Sequence, residues 1–324
     1  MVRVGVTGAT GFIGGALVPF LASRGHELRL VDDRSGPVRV EYSEWPALVA
    51  DFASESALGT LADCDVVLHL AAASGVVACA RDPAGTARVN VDGTRRLYEM
   101  CRDRRIPVAF ASSFAVVGAP DRLPVREDTP ARPTHEYARQ KAVGETLTDE
   151  LARTGAVATA NLRQSNVYGH YFAAGRRVSK GNVIELFSRQ AGDGRLLVNA
   201  PGTQRRDFIH IDDVVAHWEA AARFLLQSAR KGTCSILNVA SGEACSVLEV
   251  AEKVVRAYAS LYPNRPPLHV EVVTNPRGGI ELIEPNFAVD RSQTERMLGL
   301  ACRHRIDSEL PSLLRAQDET TRSS

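Results

Sequence analysis

An α/β fold, a doubly wound parallel sheet with a smaller C-terminal unit, is predicted by three features of the sequence. Short β-branched segments alternate with helical patterns through the first half. Those segments are apolar almost without interruption, as strands covered on both faces must be. A glycine triplet in "VTGATGFIGG" falls at the first strand-to-helix junction. Right-handed crossovers then wind the sheet in both directions and leave its ligand at the carboxyl ends of the strands. This Rossmann arrangement is assigned to residues 1–166. Residues 167–324 are assigned mainly to a substrate-binding domain, with segments around 207–230 and 235–242 packing back on the first domain.

Taken in order, "VRVGVTG" is the first strand and "GFIGGALVPFLASRG" the helix after it. "HELRLVDD", "DVVLHLAA", "IPVAFASS" and "AVATANLRQS" follow as strands, each separated from the next by helical sequence. Beyond residue 167 the alternation weakens, and "HYFAAGRRVSKGN" and "APGTQRRDF" read as loops around a site. "DDVVAHWEAAARFLLQSARK" reads as a helix because acids open it and bases close it, as the helix dipole favours. "SVLEVAEKVVRAYASLY" is a second helix, and the polar tail "AQDETTRSS" is expected to fray.

Bulk properties narrow the function classes. The chain has 324 residues, 44% hydrophobic and 24% charged, ordinary values for a soluble globular protein. A formal charge of +1, with both signs scattered, gives no electrostatic case for nucleic acid or an anionic membrane as partner. No apolar run approaches the ~20 residues of a membrane helix, and the N-terminus lacks a signal peptide's apolar region. Cys64, Cys79, Cys101, Cys234, Cys245 and Cys302 form no CxxC pair and lie at no zinc-ligand spacing from histidine. Reduced thiols, a cytoplasmic location and no metal are therefore expected.

Gly8, Gly11 and Gly14, with Phe12 and Ile13 between them, form the cofactor candidate. Glycine is needed where the turn is tight and where backbone must approach a pyrophosphate, and the helix N-terminus offers that anion free N–H groups. Asp32, at the end of the second strand, can accept hydrogen bonds from both adenosine ribose hydroxyls and repels a 2′-phosphate, which favours NAD over NADP. Arg34 nearby keeps a phosphate conceivable. Asp51 in "VADF" is either a contact to the adenine amino group or a helix-capping aspartate.

"EYARQKAVGE" puts Tyr137 and Lys141 four residues apart, on one face of a helix. A free tyrosine titrates near ~10 and is a poor base at neutral pH. A neighbouring ammonium and a positive nicotinamide ring favour the phenolate, which can take a hydroxyl proton as hydride leaves the same carbon.

The chain resembles the extended short-chain dehydrogenase/reductases, in particular their nucleotide-sugar branch. The matching stretches are "TGATGFIG", "HLAA", "NVDGT", "SS" with "VVG", "YARQK", "LRQSNVYG", "RRDFIHIDDV", "LNVASG" and "PRGG", in order along nearly the whole chain. "VVG" departs from the "VYG" common in the family, at a residue that is not the proton-transfer group. The resemblance implies Ser113, Tyr137 and Lys141 as the catalytic set, with Ser113 bonding the reacting sugar oxygen. It implies Asn166 and Asn182 as contacts to a nucleoside diphosphate, and Arg206 and Arg277 as the clamp on its phosphates. Guanidinium forks suit a diphosphate. It also implies a homodimer. Ala288 matches a position bordering the sugar, where a small side chain leaves room for an N-acetyl group.

Phe114 and Ala115 follow Ser113. In this family the sugar dehydratases carry Asp and Glu at those positions, and the glucuronate decarboxylases a Glu. Two inert side chains leave oxidation at C4 and its reversal, which favours an NAD-dependent 4-epimerase of UDP-hexose, UDP-N-acetylhexosamine or UDP-uronic acid. The alternatives are a dehydratase, a decarboxylase, a 4-ketoreductase or, more remotely, a non-catalytic NAD-binding regulator.

Overall fold

A computed structural model describes residues 1–228, 232–274 and 288–322, with side chains to residue 317. The first half runs β1 (Arg3–Thr7), α1 (Phe12–Ser23), β2 (Glu27–Asp32), β3 (Leu48–Val49), α2 (Glu55–Leu61) and β4 (Val66–His69). It continues through α3 (Val76–Arg81), α4 (Pro83–Ala87), a π-helical turn at Arg88–Gly93, α5 (Thr94–Arg104), β5 (Val108–Ser113), α6 (Glu136–Gly155) and β6 (Thr159–Gln164). The second half begins β7 (Asn166–Tyr168), β8 (His170–Ala173), β9 (Arg176–Ser179), α7 (Val183–Gln190), β10 (Arg195–Asn199) and β11 (Arg205–His210). It closes with α8 (Ile211–Gln227), β12 (Cys234–Val239), β13 (Ala244–Ser246), α9 (Val247–Leu261), β14 (His269–Val273), α10 (Ser292–Leu298) and α11 (Ile306–Arg322).

The large sheet has the order β12-β6-β5-β4-β1-β2-β3, and every pairing in it is parallel. The chain winds outward from β1 in one direction and from β4 in the other, so the switch point lies between these two strands. Its apolar strands account for the pattern in the sequence: Val4, Val6, Val66, Val67, Leu68, Val108, Ala160 and Leu162 are all sealed from solvent. Two stretches of the second half join this layer. β12 pairs residue by residue with β6, and α8 buries Val214, Val215, Trp218, Ala221, Ala222 and Leu225 in the same core as α1. A second core forms where α7, α9 and α11 enclose β10, built from Ile184, Phe187, Leu196, Val254, Leu310 and Leu313.

Three stretches differ from expectation. "HYFAAGRRVSKGN" contains a hairpin, β8 against β9, whose two-residue turn puts Ala174 at φ 47° and Gly175 at φ 73°. Such a turn needs positive φ at both positions, and alanine at the first hides it from a sequence reading. "APGTQRRDF" ends in β11, so Arg206 projects from a strand rather than a loop, held in register with β13 and β7. The C-terminal tail is helical as far as Arg322 rather than frayed. Leu310, Leu313 and Leu314 bury one face of α11, and an anchored helix extends at little cost per residue.

Candidate active site

The cofactor cradle is built from close backbone approaches. Gly8, at φ 71°, packs against the chain leaving β4, and a Cβ there would lie 2.7 Å from the Ala71 amide nitrogen. A Cβ on Gly14 would meet the Gly8 carbonyl oxygen at 2.1 Å. Gly11 is different: a Cβ on it would touch only the Gly8 oxygen, at 3.4 Å, so its outer face is open. Gly11 is also the N-cap of α1, and no side chain caps that end. The first-turn N–H groups around Phe12 and Ile13 are therefore uncapped by any side chain beside this open face, as a pyrophosphate requires. Gly14→Ala should lower NAD affinity at least tenfold, measured by calorimetric titration, because the new methyl collides with backbone rather than with a movable side chain. Unchanged affinity would show that the cradle is not the pyrophosphate site.

Asp32 stands at the end of β2 beside this cradle, 8% exposed. Its Oδ2 accepts from the Thr10 amide at 3.0 Å and its Oδ1 from the Arg34 amide at 2.6 Å. Each oxygen retains a lone pair, so the carboxylate is fixed and still able to accept from two ribose hydroxyls. The Arg34 guanidinium pairs with Glu41 at 3.2 Å, which offsets its charge and weakens the case for a 2′-phosphate. Asp51 opens the turn into α2, where its Oδ1 accepts from the Ala53 amide at 2.8 Å.

Ser113 ends β5, and Tyr137 and Lys141 occupy the first two turns of α6. His135 caps this helix, accepting from the Ala138 amide through Nδ1, and its ring stacks on Tyr137 at 6.2 Å with an interplanar angle of 5°. α6 lies close on β5 because residue 144 is glycine: a Cβ there would enter the Phe110 ring at 2.4 Å. This approach seats Lys141, whose Nζ donates to the Ala111 carbonyl at 2.7 Å and lies 4.8 Å from the Phe110 ring centroid. Lys141 is 4% exposed, and burial pushes its ammonium down to about 8, with the Lys180 charge adding repulsion. A cation this poorly solvated is well suited to favour an adjacent phenolate.

Neighbouring groups hold the set in place. His69, wholly buried, bonds Thr7 Oγ1 at 2.7 Å through Nδ1 and Thr94 Oγ1 at 3.0 Å through Nε2, tying β1 and β4 to α5. Burial pushes its pKa down to about 3, so it stays neutral. Asn90, inside the π-helical turn, exchanges hydrogen bonds with both backbone groups of Ala73 and donates to Gln140 Oε1 at 2.7 Å. Gln140 lies next to Lys141, so "NVDGT" sets the position of α6 against the loop leaving β4. Arg163 and Glu145 form a buried pair at 2.9 Å beneath β5, with Ser112 donating to the same carboxylate. The motifs that carry these residues are legible in the sequence, but their spacing does not show which strands they join.

Phe114 is buried in an apolar cluster with Val116, Val117, Val125 and Ala240, while Ala115 is partly exposed. Val117, the residue departing from "VYG", fills the same cluster.

Among the expected substrate contacts, Asn166 lies on β7 with its side chain donating to the Asp207 carbonyl at 3.1 Å. Asn182 is the N-cap of α7: its Oδ1 accepts from the Ile184 and Glu185 amides and its Nδ2 donates to the Val167 carbonyl. Arg206 is partly exposed on β11. Its neighbour Asp207 is buried, accepting from the amides of Ser241 and Gly242, which fixes "RRDF" against "ASG". Ala288 is exposed, and its carbonyl accepts from the Val125 amide at 2.6 Å. Arg277 lies outside the described residues.

A glycine cradle at the switch point of a doubly wound sheet, with an acid at the end of the second strand, makes this a dinucleotide-binding protein of the Rossmann class. The chain belongs to the NAD dependent epimerase/dehydratase family, whose family model matches residues 4–240, and NAD is its cofactor. UDP-glucose 4-epimerase of Mycolicibacterium smegmatis is 31% identical over 280 residues, 82% of this chain and 85% of that protein. UDP-N-acetyl-alpha-D-glucosaminuronate decarboxylase of Bacillus cytotoxicus is 30% identical over 261 residues, 77% of this chain and 78% of that protein. The solved structure of MoeE5 in complex with UDP-glucose and NAD superposes with a TM-score of 0.77 at 29% identity, covering 98% of this chain and 99% of that one.

Proposed function

We propose that this protein is an NAD-dependent UDP-sugar 4-epimerase. The observation that carries the reading is the pair after Ser113: Phe114 is buried in an apolar cluster and Ala115 has only a methyl group. Among the described residues, three glutamates that flank Tyr137 and Lys141 along the chain are engaged. Glu127 accepts from Thr294, Glu145 pairs with Arg163, and Glu136 accepts from Arg139 and Gln140. A dehydratase or decarboxylase needs a further proton-transfer group, and the decarboxylase relative keeps that alternative in view.

Bound NAD supplies an acceptor and donor for the C4 hydride. Tyr137 takes the proton from the sugar 4-hydroxyl and later returns it. Ser113 holds the reacting oxygen, and Lys141 favours the tyrosinate and orients the nicotinamide ribose. The nucleotide must be gripped while the 4-keto sugar turns over, and we assign that grip to Asn166, Asn182, Arg206 and Arg277. In this reading residues 1–166 hold NAD and residues 167–324 mainly hold the nucleotide-sugar. A homodimer with α6 at its interface and a cytoplasmic location complete it. All six cysteines are free thiols, and no helix among the described residues is long and apolar enough to cross a membrane.

The test is product analysis: protein with NAD and a panel of UDP- and TDP-linked glucose, N-acetylglucosamine and glucuronic acid, read by mass spectrometry and proton NMR. An isomer of unchanged mass, without net NADH, is expected from at least one UDP-sugar. Loss of water or carbon dioxide, or stoichiometric NADH, would replace this reading with one of its alternatives.

A further inference from the structure

We propose that His210, Asp212 and His304 bind one divalent first-row transition-metal ion, of which zinc is the type, where the chain entering α11 meets the N-terminus of α8. One ligand atom from each residue lies within 4.8 Å of the others. His210 Nδ1 is 3.6 Å from Asp212 Oδ2, and His304 Nε2 is 3.8 Å from the same oxygen. Tetrahedral zinc with ligand bonds of about 2.0–2.2 Å sets donors roughly 3.3–3.6 Å apart. A turn of the partly exposed His304 ring out of its stack on His210, with a shift of the exposed Asp212 side chain, reaches that spacing.

The two imidazoles stack at 4.6 Å with an interplanar angle of 26°, and one nitrogen of each lies toward Asp212. The His210 ring is buried, with Tyr168 against it edge to face at 5.2 Å. Its Nε2 side is packed on Gly169, where a Cβ would come within 2.5 Å of Nε2. Nδ1 is therefore the nitrogen that faces Asp212, and its present bond there, from the Asp212 amide, is a long 3.3 Å. His304 presents the opposite arrangement. Its Nδ1 faces Asp213 Oδ1 at 3.2 Å, and that carboxylate is fixed by the amides of Arg303 and His304, each at 3.0 Å. The Nδ1 contact lacks hydrogen-bond geometry as it stands; a small turn of the ring would make it the carboxylate support usual for a metal-binding histidine, with Nε2 left toward Asp212.

Charge and access agree with this assignment. The N-terminus of α8 carries partial positive charge that opposes a cation, and the two carboxylates in its first turn offset both. The Asp212 side chain is 60% exposed and that of His304 30%, so an ion can enter and keep water as its fourth ligand. Two imidazoles and one carboxylate suit zinc, cobalt or nickel rather than magnesium or calcium. None of these three residues belongs to the glycine cradle or to the Ser113, Tyr137 and Lys141 set. The ion would pin the segment before α11 to α8. His304 lies far along the chain from His210, so no sequence spacing announces the site.

The experiment uses full-length untagged protein, treated with EDTA, dialysed and titrated with zinc chloride. Binding is followed by calorimetry, and bound metal is counted by mass spectrometry. One zinc per chain is expected, with a rise in Tm that saturates at one equivalent. His304→Ala and Asp212→Asn should each weaken binding at least a hundredfold. Both positions are solvent-accessible, so the two variants are expected to fold. Asp213→Asn, which keeps all three ligands, should weaken binding about tenfold. Less than half an equivalent at saturation, or equal affinity in the wild type and in both ligand variants, would overturn the proposal.

Discussion

Tyr137→Phe is expected to lower kcat by about a thousandfold, within the range that a positioned proton-transfer group contributes. The substitution removes only the phenolic oxygen. The ring keeps its stack on His135 and its place on the first turn of α6, so fold and NAD affinity should hold. The check is kcat alongside a calorimetric NAD titration and a thermal melt. A large fall in kcat with normal NAD binding supports the assignment. A fall of less than about tenfold would mean that another group moves the proton.

Lys141→Met should abolish turnover yet make the NAD-free protein more stable at neutral pH. The ammonium is 4% exposed, and burial holds its pKa at about 8 rather than the ordinary lysine value. That depression corresponds to about 3 kcal/mol at 1.36 kcal/mol per unit. Loss of the Lys141 hydrogen bond to the Ala111 carbonyl gives back about 1 kcal/mol, for a net gain of about 2 kcal/mol. The pH dependence has a definite sign. Below about pH 8 both the folded and unfolded chains carry the proton, and the destabilisation is fully present. Between about pH 8 and the unfolded lysine value near ~10.4 the unfolded chain binds more protons, so wild-type stability rises with pH relative to the variant. Urea melts of the two proteins from neutral pH upward should therefore converge. A variant less stable than wild type at pH 7 would show that the ammonium is better solvated than its burial implies.

These two residues also show how far the sequence could be read. Four-residue spacing alone places Tyr137 and Lys141 on one helix face, and alternating apolar segments are enough to predict a parallel sheet. Spacing does not reveal that Gly144 lets α6 close on Phe110, or that Lys141 is buried as a result. Those facts depend on which strand the helix covers. The same limit hid the Asn90–Gln140 and His69–Thr94 contacts, whose partners come from separate elements. Asn182 could be matched to a motif, yet its use as the N-cap of α7 depends on where that helix starts. The β8–β9 hairpin escaped because Ala174 takes a backbone conformation that glycine or asparagine usually signals. The helical tail escaped because "AQDETTRSS" is polar throughout, while the leucines that anchor its helix, Leu310, Leu313 and Leu314, precede it.

The central claim is that C4 is oxidised and reduced within one site, with no other bond to the sugar broken. A UDP-sugar deuterated at C4, converted in ordinary water and read by mass spectrometry and NMR, tests it most directly. The account predicts a C4-inverted product of unchanged mass that keeps the deuterium at C4, with no solvent hydrogen entering C5 in a parallel run in heavy water. Deuterium moved to C6, solvent label at C5, or loss of water or carbon dioxide would contradict it and require a proton-transfer group beyond Ser113, Tyr137 and Lys141.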